Sequence, residues 1–454
     1  MPYLLNLVYL ALLVIVSPWL IYAALRHGKY REGYTQKLLG RVPSRQSTAG
    51  DDSSRLVWLH AVSVGEVNLL QTLVDEIGRR KPDWQCVIST TTKTGYELAR
   101  RRYPQLTVFY CPLDFSWSVR TAMRRLRPDL LVLAELELWP NLIRAAHDHG
   151  TRVAIVNGRL SDQSHRGYRR IRPLLGHVLN QVDLVAAQND ETASRFLDLG
   201  SDPKSVHVTG SLKFDGAQTD RQNPSTDALR RLARLADDET VFLAGSTQPP
   251  EESLALATYR RLVVEYPQLR LVLVPRHAER FDAVADMLRE SGVPFVRRSE
   301  LGDSAATLLG KSLIRRGGPA VPPVLLIDIV GELGAWWGTA DIGFVGGSFG
   351  LRGGQNMIEP AAYGVATSFG PNTSNFRDIV ATLLSADAAR VVQDSQELTT
   401  FVRRCLEYPR QAATLGGRAR ALVESQLGAT DRTVSLLEAL LADAECELSA
   451  RPAA

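Results

Sequence analysis

Acidic side chains at the ends of apolar runs are the residues of this chain best suited to chemistry. In WLHAVSVGEV an apolar run leads into Ser63, Gly65 and Glu66 and then into a helical pattern. Glu66 falls in the first helical turn, where the positive end of the helix favours its ionised form and makes it a competent proton acceptor. An acid in a first turn is equally ordinary helix chemistry, so spacing alone leaves both readings open. In LVLAELELWPNLI, Glu135 and Glu137 close another apolar run, and two residues apart on a strand they share one side. Carboxylates there can bind hydroxyls or orient a base. They can also be solvated loop acids, with Trp139 and Pro140 starting the next helix.

Basic and glycine-rich turns form the second group. NGRLSDQSHRGYRR carries Arg159, Arg166, Arg169 and Arg170. Clustered guanidinium groups suit phosphate or carboxylate, although such runs also make solvated faces. Further on, AGSTQPPEE, VPRHAER, VGELG and GGSFGLRGGQNMIEP each put small or charged residues at a strand-to-helix turn. Turns of this kind expose backbone N–H groups and helix N-termini that attract phosphate, and Arg276 adds a fixed positive charge. Taken together they point to an anionic nucleotide. Each glycine taken singly needs no more than a tight turn.

Other chemistries are poorly served. GGSFG matches the GxSxG elbow with Ser348, but that hydrolase order needs a histidine after the serine. All eight histidines, His27 through His277, precede it. No early strand leads into GxGxxG, and no GxxxxGK[ST] or DxD occurs, so neither a dinucleotide, a P-loop nor the usual metal anchor of a nucleotide diphosphate is expected. His147, Asp148 and His149 sit at a helix end without further ligands at metal-site spacing and read as surface. No metal and no cofactor are expected.

The elements that must position these residues alternate along the chain. LVWLHAV, QCVIST, LTVFY, DLLVLAE, RVAIVN and DLVAAQ read as strands, with helix-like stretches such as EVNLLQTLVDEIGRR and GYELARRRY between them. Continuous apolar strands separated by helices imply a parallel sheet covered on both faces. After the polar stretch DGAQTDRQNPSTD the alternation restarts with VFLAGS, LRLVLVP, VLLIDIV, DIGFVGGS and GVATSFG, and residues 298–322 read as an irregular insertion. The expected division is 1–25 for an anchor, 26–54 for a basic juxtamembrane segment, 55–215 for one Rossmann-like domain, 216–227 for a linker, 228–430 for a second, and 431–454 for a C-terminal helix and tail. Two such doubly wound domains are expected to face a common cleft with their strand C-terminal ends.

With 454 residues the chain is long enough for two domains and an anchor. A net charge of only +4 argues against nucleic acid as a partner, and four scattered cysteines without a CxxC pair suit reduced thiols in a cytosolic setting. Residues 1–25 carry no charged side chain and are long enough to cross a bilayer, and Arg26, Lys29, Arg31, Lys37, Arg41 and Arg45 follow them. That flank predicts an uncleaved single-pass anchor with the bulk of the chain in the cytoplasm and the basic residues on anionic phospholipid headgroups. A cleaved signal peptide would want its positive charge ahead of the apolar run.

In order, SVGE, ELWPN, NGRLS, TGSLKFD, AGST, VPRH, GEL, GGSF, NMIEPA and GPNTSNFRDI give a chain that resembles the bacterial 3-deoxy-D-manno-octulosonic acid (Kdo) transferases of lipopolysaccharide synthesis, from the anchor to about residue 430. The resemblance implies an α/β GT-B fold, with the first domain on the acceptor side and the second binding the CMP-sugar. It implies CMP-Kdo as donor, a lipid A precursor (lipid IVA) in the inner membrane as acceptor, and an inverting, metal-independent transfer. Carried over by motif, Glu66 looks like the general base and Glu137 like a second essential carboxylate. CMP contacts fall on Pro275, Arg276, Gly331, Glu332, Leu333, Asn356, Met357, Ile358 and Glu359. Many relatives read ETELWPN where Leu136 stands here, which leaves the acid in place, and NPLE where this chain has NMIE, which puts in doubt only contacts of the replaced side chains. The alternatives are another nucleotide-sugar transferase or epimerase of this fold, which CMP-against-UDP binding separates, and a membrane-tethered binding protein without turnover.

Overall fold

The computed structural model describes residues 2–27, 32–45, 54–301, 313–314 and 320–449. It divides into two compact units, Met1–Asp215 with Gln426–Ala454, and Gly216–Ser425. The helices before and within the first sheet are Pro2–His27 (α1), Tyr34–Leu39 (α2), Val64–Arg80 (α3), Lys93–Arg102 (α4), Ser116–Leu126 (α5), Pro140–Asp148 (α6), Asp162–Arg169 (α7), Arg172–Leu179 (α8) and Asp190–Leu199 (α9). The strands are Leu56–His60 (β1), Gln85–Thr90 (β2), Thr107–Tyr110 (β3), Leu130–Ala134 (β4), Arg152–Gly158 (β5), Leu184–Ala187 (β6) and Val206–Val208 (β7).

These seven strands form one parallel sheet in the order β3-β2-β1-β4-β5-β6-β7. The order reverses between β1 and β4, and ligands of such sheets bind in the crevice at that switch point. β1 and β4 are buried along their whole length, as apolar runs in the middle of a doubly covered sheet must be. Trp58, Phe109, Met123 and Leu131 fill one face, and Val57, Leu59, Leu70 and Leu73 the other. The second face is completed by a late segment: Val434, Leu437 and Leu441 of the helix Ala429–Ser449 join that core. Asp215 accepts hydrogen bonds from the backbone N–H groups of Gly428 and Thr430, and Arg80 reaches Glu438, so the returning helix is tied at its start and along its side.

The second unit carries Thr240–Thr247 (β8), Leu269–Pro275 (β9), Phe295–Arg297 (β10), Leu313–Ile314 (β11), Ala320–Val321 (β12), Val324–Leu326 (β13), Ile342–Val345 (β14), Ala366–Phe369 (β15) and Arg390–Val391 (β16). Seven of them form a parallel sheet in the order β10-β13-β9-β8-β14-β15-β16, with its own switch point between β8 and β14. β11 and β12 pair antiparallel within the expected irregular insertion. Residues 302–312 and 315–319 of that insertion, like the expected tail 450–454, lie outside the described residues. A helix starts at Pro224, capped by Asn223, inside the stretch expected as linker.

α1 departs from the expected anchor. It is one helix of 26 residues, but Asn6 exchanges hydrogen bonds with Ser116 (2.8 and 3.0 Å), and the Tyr9 hydroxyl donates to Asp114 at 3.1 Å. Those bonds hold the first turns of α1 on the start of α5. At about 1.5 Å per residue, a helix crossing a bilayer would carry Asn6 roughly 30 Å from Arg26, on the far side from the first unit. Among the described residues no helix is long and apolar enough to cross a membrane. Within the expected anchor the side chains of residues 20, 21 and 23–25 lie outside the described residues, as do Lys29 and Arg31 of the basic flank.

Candidate functional site

The switch point of the first sheet gathers the acids that the sequence singles out. Glu66 follows β1 and opens α3, capped by Ser63. Its two carboxylate oxygens are held separately: Val62 N donates to Oε2 at 2.8 Å, and Ser63 Oγ donates to Oε1 at 2.7 Å. This is the capping-box pattern, in which a serine and an acid three residues on satisfy each other. Glu66 is buried, at 8% exposure. Sequence reasoning expected the helix end to favour its ionised form. Burial outweighs that, and with the charge of Glu135 it raises the pKa above the usual carboxylate value, against the pull of the Ser63 and Val62 hydrogen bonds.

β4 ends at Ala134, so Glu135 and Glu137 are not the strand neighbours that alternation predicts. Glu135 has a left-handed backbone (φ 57°) that turns the chain out of the sheet. The two acids then part company. Glu135 pairs with Lys213 Nζ at 2.9 Å, whereas Glu137 accepts from Trp139 Nε1 at 2.9 Å and forms no ion pair among the described residues. Burial and then the charge of Glu66 push Glu137 up to about 7. Asn157, also left-handed (φ 53°), accepts from Leu212 N at 3.0 Å and Ser211 Oγ at 3.3 Å, joining NGRLS to TGSLKFD. Lys213 follows directly. The sequence gives Lys213 no role, because nothing in TGSLKFD reveals an acid distant in the chain as its partner.

In the second unit Pro275 is buried at the end of β9 and Arg276 is exposed just beyond it, its N–H bonded to Thr247 O at 3.0 Å. The positive charge of Arg276 reaches Glu359, whose pKa burial nevertheless raises. Asn356 Nδ2 donates to Glu359 Oε1 at 3.0 Å, and Asn356 Oδ1 accepts from Ile358 N at 3.0 Å. Met357 and Ile358 are buried, so a ligand would meet that turn through backbone and through Asn356 and Glu359. Gly331 sits at φ 99°, and Glu332 is gripped by Arg298 through two bonds of 2.9 and 2.8 Å. Leu333 opens the helix Leu333–Trp337, which packs against Ile358–Ala362 and so brings GEL and NMIE together.

Other expectations fare differently. The turn after β14 does not offer free amides: Gly347, Ser348 and Phe349 N–H groups all go to the Glu251 carboxylate. Ser348 is buried, its hydroxyl spent on Val345 O and Gly370 N, which agrees with rejecting a hydrolase elbow. Arg166 pairs with Asp162 and Arg169 with Asp198, so these two arginines of the cluster are engaged with acids of their own unit. Among the described residues no group of three metal-ligating side chains occurs.

Glu137 offers a direct check of this electrostatics. Its folded pKa lies above its unfolded one, so the folded chain holds the proton more tightly. The stability this supplies is complete below the unfolded value and is lost as pH rises through about 7. The variant Glu137→Gln keeps an acceptor for Trp139 but never ionises. Its melting temperature relative to the parent should therefore rise between about pH 5 and about pH 8, measured by thermal scans in matched buffers. A gap that is constant or falls over that window contradicts the assignment.

The family model 3-Deoxy-D-manno-octulosonic-acid transferase (kdotransferase) matches residues 32–216. A 3-deoxy-D-manno-octulosonic acid transferase of Haemophilus influenzae is 32% identical over 85% of this chain and 87% of its own. One from Bordetella pertussis is 32% identical over 92% of this chain and 95% of its own. A crystal structure of UDP-GlcNAc 2-epimerase from Neisseria meningitidis bound to UDP-GlcNAc covers 84% of this chain and 99% of its own at 12% identity, with a TM-score of 0.53. That likeness concerns the two-domain α/β fold alone. The length and identity of the sequence matches, carried through both units, establish that the chain belongs to the Kdo transferase family of glycosyltransferases.

Proposed function

We propose that the chain transfers Kdo from CMP-Kdo to a lipid A precursor, lipid IVA, with Glu66 as general base. The observation that carries the reading is the Glu66 carboxylate, fixed by Val62 N and Ser63 Oγ at the switch point of the first sheet and flanked by Glu135 and Glu137. One oxygen of Glu66 takes the proton of the acceptor hydroxyl. The freed oxygen bonds to the anomeric carbon as the bond from that carbon to the phosphate oxygen breaks, CMP leaves with the electron pair, and the centre inverts. Pro275, Arg276, Gly331, Glu332, Leu333, Asn356, Met357, Ile358 and Glu359 hold the donor, and Arg276 stabilises charge on the departing phosphate. Glu137 holds a proton near neutrality beside the base. No step calls on a metal.

α1 serves as the membrane attachment. Tyr3, Leu4, Leu7, Val14, Ile15 and Trp19 are all exposed along it, an apolar surface that a bilayer would cover. Arg26 and Arg41 are exposed nearby and suit anionic phospholipid headgroups on the cytoplasmic face of the inner membrane. A crossing would require Asn6 and Tyr9 to leave Ser116 and Asp114, so the contacts support attachment rather than a span.

Two measurements test this reading. Glu66→Gln should stay folded and bind CMP but lose about 10²–10⁴-fold in transfer, followed as Kdo added to the lipid by mass spectrometry with CMP-Kdo generated in place. Near-normal turnover would remove Glu66 from the base role, and an unchanged lipid mass with the parent chain would remove the reaction itself. Deleting residues 2–27 of α1 should release the chain from the membrane pellet and lower transfer to bilayer-embedded acceptor more than to detergent-dispersed acceptor. Equal losses on both acceptors would refute the attachment.

A further inference from the structure

The switch point of the second sheet, between β8 and β14, is where a nucleotide-binding α/β unit presents backbone amides to phosphate. The amides are there, but a side chain of the protein occupies them. Gln248 N, after β8, donates to Glu251 Oε2 at 2.9 Å, and Gly347 N, after β14, donates to the same oxygen at 2.7 Å. Ser348 N and Phe349 N donate to Oε1 at 2.9 and 3.0 Å. Glu251 is 1% exposed.

The backbone is shaped to this carboxylate. A Cβ on Gly346 would lie 2.7 Å from Glu251 Oε2 and 2.6 Å from Ser246 O, and Gly347 has φ 66°. The nest also belongs to the loop that leads into the candidate donor residues. Gly354 N donates to Gly347 O at 2.8 Å, and a Cβ on Gly347 would lie 3.1 Å from the Gln355 side chain, one residue before Asn356.

We infer that Glu251 is a specificity-determining residue: its carboxylate fills the amide nest in which a second phosphate would sit, so this unit accepts a nucleotide with one phosphate and rejects a diphosphate. The inference rests on the proposed donor, whose nucleotide carries a single phosphate. Rejection has two sources. The four N–H donors are already satisfied, and a diphosphate would meet a like charge buried at their centre. Glu251 acts by occupying space and charge and touches no reacting atom.

Calorimetric titration with CMP and CDP tests it, since the two share base and ribose and differ by one phosphate. The parent chain should bind CMP more tightly than CDP. Glu251→Ala empties the nest, and the ratio of CDP to CMP affinity should rise by about tenfold or more. Acetate added to that variant should re-occupy the amides, raise the melting temperature and return the ratio toward the parent's, whereas neutral acetamide should do neither. Glu251→Asp keeps the charge and should keep rejecting CDP. CDP bound as tightly as CMP by the parent chain overturns the inference even if Glu251→Ala fails to fold, and so does an unchanged ratio in folded Glu251→Ala. Failure of the parent to bind CMP at all instead removes the donor reading on which the inference rests.

Discussion

A carboxylate taken out of water must be given hydrogen-bond donors or it will take a proton, and this constraint organises both units. Each places a glutamate just after the first strand of a parallel sheet, where the strand order reverses and the amides at the strand ends converge. In the second unit Glu251 receives four backbone N–H donors and is thereby fully engaged. In the first, Glu66 receives one backbone N–H and one hydroxyl and stands beside two further acids. The same position in the same kind of sheet thus yields a fully engaged carboxylate in one unit and a carboxylate with spare acceptor capacity in the other, and burial raises the proton affinity of both.

The neighbours of Glu66 follow from the same rule. Three acids near one strand end cannot all ionise without compensation, and the chain resolves this unevenly. Lys213 neutralises Glu135, the indole of Trp139 supports Glu137 without a charge, and Glu137 is left near neutrality. The left-handed turns at Glu135 and Asn157 make this arrangement possible, because they swing one acid toward Lys213 and fasten the loop that carries it. The sequence matches place the chain among the Kdo transferases. In the proposed mechanism the charge distribution decides which of the three carboxylates accepts a proton.

Much of the fold is legible in the sequence because buried parallel strands are apolar along their whole length. β1, β2, β4, β5, β8 and β9 fall where apolar runs fall. The short edge strands β7, β10 and β16 have no such signature, being partly exposed or of mixed polarity. The return of Ala429–Ser449 to the first core depends on Asp215 and Arg80 some hundreds of residues earlier, which no local pattern announces. Glu66 and Glu137 are legible as acids at the ends of apolar runs. Lys213 and Glu251 are not legible, since each acts through residues distant in the chain. The apolar N-terminus reads as a crossing helix until Asn6 and Tyr9 are seen bonded to α5.

In the proposed mechanism Glu66, with its raised pKa, must be ionised to take the acceptor's proton. The pH dependence of kcat/KM reports that ionisation in the free enzyme. An ascending limb centred above the usual carboxylate range is expected, with a shift of that limb to lower pH in Glu135→Gln, because the charge of Glu135 helps to raise Glu66. A rate that stays flat through that range, or a limb that Glu135→Gln leaves in place, would contradict it.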